Sequence, residues 1–263
     1  MGDDVIIGRA GNDRIFTSDG INLLYGNAGD DFISGGSKVD NIFAGEGNDT
    51  IKAAEGDDDV RGESGDDIIF AGSGDDIIEG GQGDDTIFGA EGDNQVIGDA
   101  IFESGNDIIY TGSGNDFIEG GSGNDTIFAA EGDNEVFGDS RPELAVLMDS
   151  GDDVIYTGSG NDLIEGGLGN DTIWLGGGDD LVILESGAGT DVINNFQLGQ
   201  TKFAFFDEID ELSIDELSIN NGASGAEISF EDEILAIVSN VSATTLTDNI
   251  DDLIEMAIEP PVM

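Results

Sequence analysis

The 263-residue chain contains no cysteine and no histidine. No disulfide can therefore brace the fold. The Cys and His ligands that zinc prefers are absent, as is any histidine-based acid–base pair. Basic residues are scarce: seven Lys and Arg stand against 59 Asp and Glu, for a formal net charge of −52. A nucleic-acid partner requires a basic face, so that class is excluded. Anionic membranes and polyanionic polysaccharides such as alginate are disfavoured by the same repulsion. No apolar run approaches the roughly 18 residues of a membrane-spanning helix. The opening MGDDVIIG lacks the basic and apolar regions of a cleavable signal peptide. There is no G-x-S-x-G nucleophile motif either.

What the chain does have is glycine, 43 residues of it, and an apolar fraction of 38%. Such a charge opposes compaction, yet the Ile, Val and Leu residues are placed at regular intervals. The stretch GGQGDDTIF, residues 80–88, shows the unit. Stepping from Asp85 in both directions, an Asp or Asn recurs every nine residues. The series is Asp4, Asp13, Asn22, Asp31, Asp40, Asp49, Asp58, Asp67, Asp76, Asp85 and Asn94. A four-residue insertion at 98–101 precedes Asp107, Asp116, Asp125 and Asn134. A ten-residue insertion at 138–147 precedes Asp153, Asp162, Asp171 and Asp180, and two extra residues near Leu184 precede Asp191. An Ile, Val or Leu follows each of these residues by two, and a glycine precedes each by two, with Lys38 the one departure. A strict internal period of this kind is the signature of a solenoid.

The unit has a physical reading. The glycine suits a left-handed backbone conformation that a Cβ resists. The three residues after the aspartate form a minimal strand whose middle side chain points inward. Two nonapeptides make one 18-residue coil, and ten coils at about 4.8 Å give a rod roughly 48 Å long. Stacking brings reference residues 18 apart in sequence onto one edge. Edge one carries Asp4, Asn22, Asp40, Asp58, Asp76, Asn94, Asp116, Asn134, Asp162 and Asp180. Edge two carries Asp13, Asp31, Asp49, Asp67, Asp85, Asp107, Asp125, Asp153, Asp171 and Asp191. Carboxylates about 5 Å apart repel by several kcal/mol at intermediate dielectric. A hard cation that accepts six to eight oxygens, calcium, relieves this better than magnesium with its strict octahedron.

GGQGDDTIF, GGSGNDTIF (120–128) and GGLGNDTIW (166–174) resemble the RTX calcium-binding nonapeptide G-G-x-G-x-D-x-U-x. The resemblance covers about residues 1–195. It implies an all-β fold: a right-handed parallel β-roll (β-solenoid) of 18 residues per turn and about ten turns. It also implies calcium between successive loops. The aspartates of both edges would then be carboxylate ligands, and Gly81, Gly83, Gly121, Gly123, Gly167 and Gly169 would offer carbonyls. Weaker sites are expected at Asn22, Asn94 and Asn134, which lack the charge, and at Asp40, beside Lys38. Nine gaps on each edge allow at most about 18 ions, which would take the formal charge from −52 to about −16. Folding is expected to depend on the metal.

Outward positions differ between the two sheets. After edge-two loops come Phe70, Phe88, Tyr110, Phe128, Tyr156 and Trp174, an aromatic ladder flanked by Ile68, Thr86, Ile108, Thr126, Val154 and Thr172. The ladder is read either as a surface for self-association or a partner, or as stacking that stiffens the sheet. The opposite sheet offers a mixed row including Arg61, Glu79 and Glu119. The long insertion, with Leu144, Val146 and Leu147, is a candidate cover for the aromatic face.

The repeat stops near residue 196. Residues 196–263 are expected to form a small, mainly β cap, with alternating strands and one short helix over 248–257, N-capped by Thr247 or Asp248. The cap would protect the last coil from pairing with other chains. Met1 begins inside a nonapeptide, which suggests a preceding domain or an end used in assembly.

Three function classes follow. The first is a secreted structural or adhesive, self-assembling calcium module without catalytic residues. By resemblance it would leave the cell through bacterial type I secretion with an uncleaved C-terminal signal. The second is the non-catalytic part of a larger enzyme or toxin. The third is an ice-binding roll, disfavoured because the loop position between the glycines holds Ser, Glu, Ala or Gln and not Thr.

Overall fold

The computed structural model describes residues 2–100, 102–140, 150–185, 188–206, 217–231 and 233–254. Its body is a parallel β-solenoid of about ten coils with about 18 residues each. Strands alternate between two facing sheets. Odd-numbered strands, from β1 (Val5–Ala10) to β21 (Lys202–Phe206), form one sheet, and even-numbered strands starting at β2 (Arg14–Phe16) form the other. Pairing is parallel and in the register that the period dictates: Ile69 faces Ile87, which faces Ile109. The register is kept across both insertions, since Ile127 pairs with Ile155 just as Ile109 pairs with Ile127.

The alternation of strand side chains decides what is inside. The aliphatic residue two after each reference Asp or Asn is fully buried along nearly the whole rod, including Leu24, Ile51, Ile87, Ile127 and Val182. Each contributes about 1.5–3 kcal/mol of transfer free energy. Small residues such as Ala53, Ala71 and Ala129 fill the inward positions two further on. The core is one residue deep from each sheet, and the reference residues themselves bound it on both sides.

The outward aromatics stack face to face. Ring centroids from Phe70 through Phe88, Tyr110 and Phe128 to Tyr156 lie 4.7–5.1 Å apart with interplanar angles of 2–6°, and Trp174 continues the column at 6.1 Å. Lys52 extends it toward the first coils, its Nζ 5.5 Å from the Phe70 ring and 5.9 Å from the Phe32 ring. Strong stacking coexists with partial exposure: Phe70, Trp174, Ile68 and Ile108 remain open to solvent. On the opposite sheet Arg61 lies over Phe43 and pairs with Glu79 at 3.6 Å. The residues expected to cover the aromatic face, Leu144, Val146 and Leu147, lie outside the described residues.

The tail prolongs both sheets. β21 pairs in parallel with β19 (Leu181–Glu185), and β24 (Glu233–Ser239) pairs in parallel with β20 (Asp191–Asn194). β24 then turns the sheet antiparallel through β23 (Gly225–Phe230) to β22 (Leu217–Asn221). Phe203, Leu246 and Leu253 are buried beneath this end. The single helix expected over 248–257 is corrected: among the described residues two short helices occur, α1 (Ala243–Thr247) and α2 (Ile250–Leu253), and 255–257 lie outside the described residues. The N-cap of α2 is Asn249, not Thr247 or Asp248, and it makes no side-chain cap hydrogen bond. Ser242 caps α1, its side chain accepting from the Thr245 N–H, and Asp248 closes α1 with its own N–H.

Candidate metal centre

Each loop reverses the chain in about six residues, and backbone conformation comes first. Gly83 has φ +131°, and a Cβ there would run into the carbonyl oxygen of Gly65 one coil earlier. Lys38 takes the same left-handed conformation, φ +86°, with a side chain attached, a strained state for a residue with a Cβ. The turn delivers the reference aspartate to the start of the strand with its carboxylate facing inward. Asp85 is 1% exposed, and Asp40, Asp67, Asp125 and Asp171 are equally enclosed.

Hydrogen bonds link these residues from coil to coil. On edge two the backbone N–H of Asp67 donates to Asp85 Oδ1 at 2.7 Å, Asp85 donates to Asp107 at 2.8 Å, and Asp107 donates to Asp125 at 2.8 Å. The ladder runs unbroken from Asp13 through Asp31, Asp49, Asp153 and Asp171 to Asp191. Edge one has its own ladder, from Asp4 to Asn22 and onward through Asp40, Asp58, Asp76, Asn94, Asp116, Asn134 and Asp162 to Asp180. The structure thus brings together, edge by edge, the residues that the nine-residue period grouped.

One oxygen of each carboxylate is used in this way. The other is not: Oδ2 of Asp31, Asp49, Asp67, Asp85, Asp107, Asp125 and Asp153 is buried without a hydrogen-bond partner. Asp40, Asp58 and Asp76 on edge one share that condition. A buried, unpaired carboxylate resists ionisation. Burial, opposed only in part by the backbone donor, pushes Asp58 and Asp67 up to about 7, Asp85 up to about 8, and Asp107 and Asp153 up to about 9. Neighbouring carboxylates add to the effect, as Asp99 and Asp125 do at Asp107.

The unpaired oxygens face backbone carbonyls. Beside Gly80, at the point where a Cβ would stand, Asp85 Oδ2 and the Gly98 carbonyl oxygen converge, the latter 2.8 Å away. At Gly8 the same point lies 2.7 Å from Asp13 Oδ2 and 2.9 Å from the Gly26 carbonyl oxygen. Gly62, Gly98, Gly120 and Gly138 repeat the arrangement with Asp67, Asp107, Asp125 and Asp153. An all-oxygen set of carboxylate and carbonyl, lacking a proton donor, fits a hard divalent cation of the calcium type. The donor chemistry and the orphaned oxygens thus agree with the metal implied by the sequence.

Two features escaped the sequence reading. The carbonyls bordering the carboxylate belong to the first loop residue of the next coil, such as Gly98 for Asp85. The family resemblance points instead to Gly81, Gly83, Gly121, Gly123, Gly167 and Gly169, at the second and fourth loop positions. Those six have positive φ, and a Cβ at Gly83, Gly123 or Gly169 would strike a carbonyl oxygen one coil back. The second feature is Asp99 and Asp139, buried residues that each open an insertion directly after Gly98 or Gly138. Asp99 is pushed up to about 7 by burial and then by Asp125, and Asp139 accepts from the Leu168 N–H. The shared Gly-Asp start of the two insertions was the available signal.

The family comparison agrees with this geometry. The model of the RTX calcium-binding nonapeptide repeat matches residues 2–24, 7–37, 16–51, 34–69, 70–100, 103–139 and 149–182, well over half of the chain. No curated protein matches. Among solved structures, the extracellular lipase LipA from Serratia marcescens is similar at 16% identity with a TM-score of 0.25, over 74% of this chain and 40% of that one. This chain therefore spans less than half the length of that lipase. RTX repeats are typical of secreted bacterial proteins, and among the described residues no helix is long and apolar enough to cross a membrane. With its repeat carried through some ten coils and its carboxylates paired across them, the chain belongs to the RTX calcium-binding nonapeptide repeat family.

Proposed function

We propose that this chain is a secreted, calcium-dependent structural module that folds outside the producing cell and then presents its aromatic sheet for adhesion or assembly. The observation that carries the calcium part is the run of buried carboxylate oxygens facing backbone carbonyls with no donor between them. Bound calcium supplies positive charge to those oxygens. The chain's own part is to fix one carboxylate oxygen on a backbone N–H, so that the other is held in place, and to keep water away with the aliphatic row. Affinities near 10⁻⁴–10⁻³ M, the range of extracellular modules, suit a module that stays unfolded in low-calcium cytosol.

The assembly part is supported by the strip from Phe70 to Trp174, whose flanking Ile68 and Ile108 are exposed at 42% and 38%. Contiguous apolar strips on a highly charged molecule mark contact faces. Sedimentation velocity in millimolar calcium and in chelator tests this reading. It predicts a compact species with calcium that self-associates, and loss of that association in a Phe88→Ser/Tyr110→Ser variant. A strict monomer in calcium at high protein concentration contradicts the assembly part.

A further inference from the structure

The two edges differ at the first loop residue, five positions before the reference aspartate where no insertion intervenes. On edge two it is glycine in eight of the ten loops, Gly62, Gly80, Gly120 and Gly166 among them, with Ala44 before Asp49 an exception. On edge one the same place holds Ala53, Ala71, Thr111, Ala129, Thr157 and Leu175. These side chains are buried, at 0–8% exposure. Where glycine stands, the space that a Cβ would take is bordered by a carboxylate oxygen and the next coil's carbonyl. Where Ala, Thr or Leu stands, a carbon atom occupies it. On edge one, Gly35 alone has both glycine and carboxylate: Asp40 Oδ2 borders its Cβ point, and the Ala53 carbonyl oxygen lies 2.6 Å from it. At Gly89 the nearest atom is instead the Asn94 amide nitrogen, at 3.4 Å.

All three asparagines of the reference series lie on edge one, and they act alike. Asn94 Nδ2 donates to the Gly92 carbonyl at 3.0 Å and to Asp116 Oδ1 at 3.2 Å. Asn134 Nδ2 donates to the Gly132 carbonyl and to Asp162 Oδ1, both at 3.1 Å. Asn22 Nδ2 donates to the Gly20 carbonyl at 3.1 Å and to Asp40 Oδ1 at 2.7 Å. The other end of each amide is fixed, because its Oδ1 accepts a backbone N–H from the preceding coil. Each amide therefore joins a loop carbonyl to the next coil's carboxylate, the same two oxygen types that a cation would join.

We infer that calcium occupancy in this roll is set by the first loop residue rather than by the aspartate. Loops with glycine there and a carboxylate to match take an ion, and loops with a side chain there do not. Edge two is then the main metal edge. On edge one three amides bridge the coils, while Asp58, Asp76, Asp116 and Asp162 keep an unpartnered buried Oδ2 but lack the glycine space beside it, and the chain takes up about nine ions instead of about 18. This inference rests on the calcium reading above.

The test is a metal count by equilibrium dialysis against saturating calcium with elemental analysis of the protein. About nine ions per chain is the expected result. A count near 18 overturns the inference and leaves the calcium reading intact, whereas a count near zero overturns both. Two variants sharpen the test, with the wild-type count standing by itself if either fails to fold. Gly120→Ala places a Cβ against Asp125 Oδ2 and is expected to lower the count by one. Ala71→Gly frees the space beside Asp76 and is expected to raise it by one. Unchanged counts in both variants would also overturn the inference.

Discussion

At the residue scale, a carboxylate uses one oxygen for structure and holds the other ready for a cation. The arrangement is costly without metal, and the cost has a sign. Asp85, Asp107 and Asp153 have pKa values raised by burial from 3.8 to about 8, 9 and 9. A group whose folded pKa is raised favours the fold while it is protonated. That contribution is complete below about pH 4 and disappears as the pH climbs toward 9. The metal-free chain is therefore expected to gain sheet on acidification from pH 8 to pH 5, followed by circular dichroism in chelator. A flat response would show that these carboxylates do not oppose folding. Asp107→Asn has opposite expected effects in two conditions. In chelator it removes a carboxyl that must be protonated to be buried and lets an amide bridge to Asp125 as Asn94 bridges to Asp116, stabilising by about 1–3 kcal/mol. In calcium the same change removes a ligand and lowers stability; urea melts in calcium check the loss, and the pH at which sheet appears on acidification in chelator checks the gain.

At the element scale, the loop and the strand are two short devices with different tolerances. Most loops take a left-handed residue two before the aspartate, Gly105 and Gly151 after the two insertions being exceptions, and Lys38 meets that need under strain at φ +86°. Lys38→Gly is expected to stabilise the calcium-loaded roll by about 1 kcal/mol, and a melting temperature unchanged or lowered would deny the strain. The strand needs one buried aliphatic and gains from its outward partner. Tyr110 stacks on Phe88 and Phe128 at 5.1 and 4.7 Å. Two such pairs make Tyr110→Ala destabilising by about 1–3 kcal/mol, whereas removing the more isolated Phe16, exposed at 61%, should cost less.

Elements of the roll were legible in the sequence because period and chemistry coincide: a strict nine-residue step fixes both the pairing register and the edge of every aspartate. The inward turn of the carboxylate and the sharing of its two oxygens were not legible, since they depend on backbone N–H groups one coil away. Asp99 and Asp139 were hidden for another reason, because an insertion breaks the count at the place where they enter. In the tail, Asp248 looked like an N-cap by type. Asp248 is instead the C-cap of α1, which Ser242 opens by accepting the Thr245 N–H, and Asn249 stands at the N-cap of α2.

At the scale of the whole molecule, a charge of −52 on 263 residues meets a core one residue deep from each sheet. Aliphatic rows, backbone ladders and aromatic stacks all favour the roll, and the buried carboxylates oppose it at neutral pH. Divalent cations convert that opposition into cross-links between coils, so metal binding and folding are one process. The cap continues both sheets and turns one of them antiparallel, so that sheet ends on β22, while the other ends on the parallel strand β21. The central claim is tested most directly by far-ultraviolet circular dichroism of the chain at pH 7.5 during calcium titration, with magnesium as the comparison. The account predicts a disordered spectrum in chelator, a cooperative gain of sheet in millimolar calcium, and little response to the same magnesium. A full sheet spectrum in chelator at that pH, or an equal response to magnesium, would contradict it.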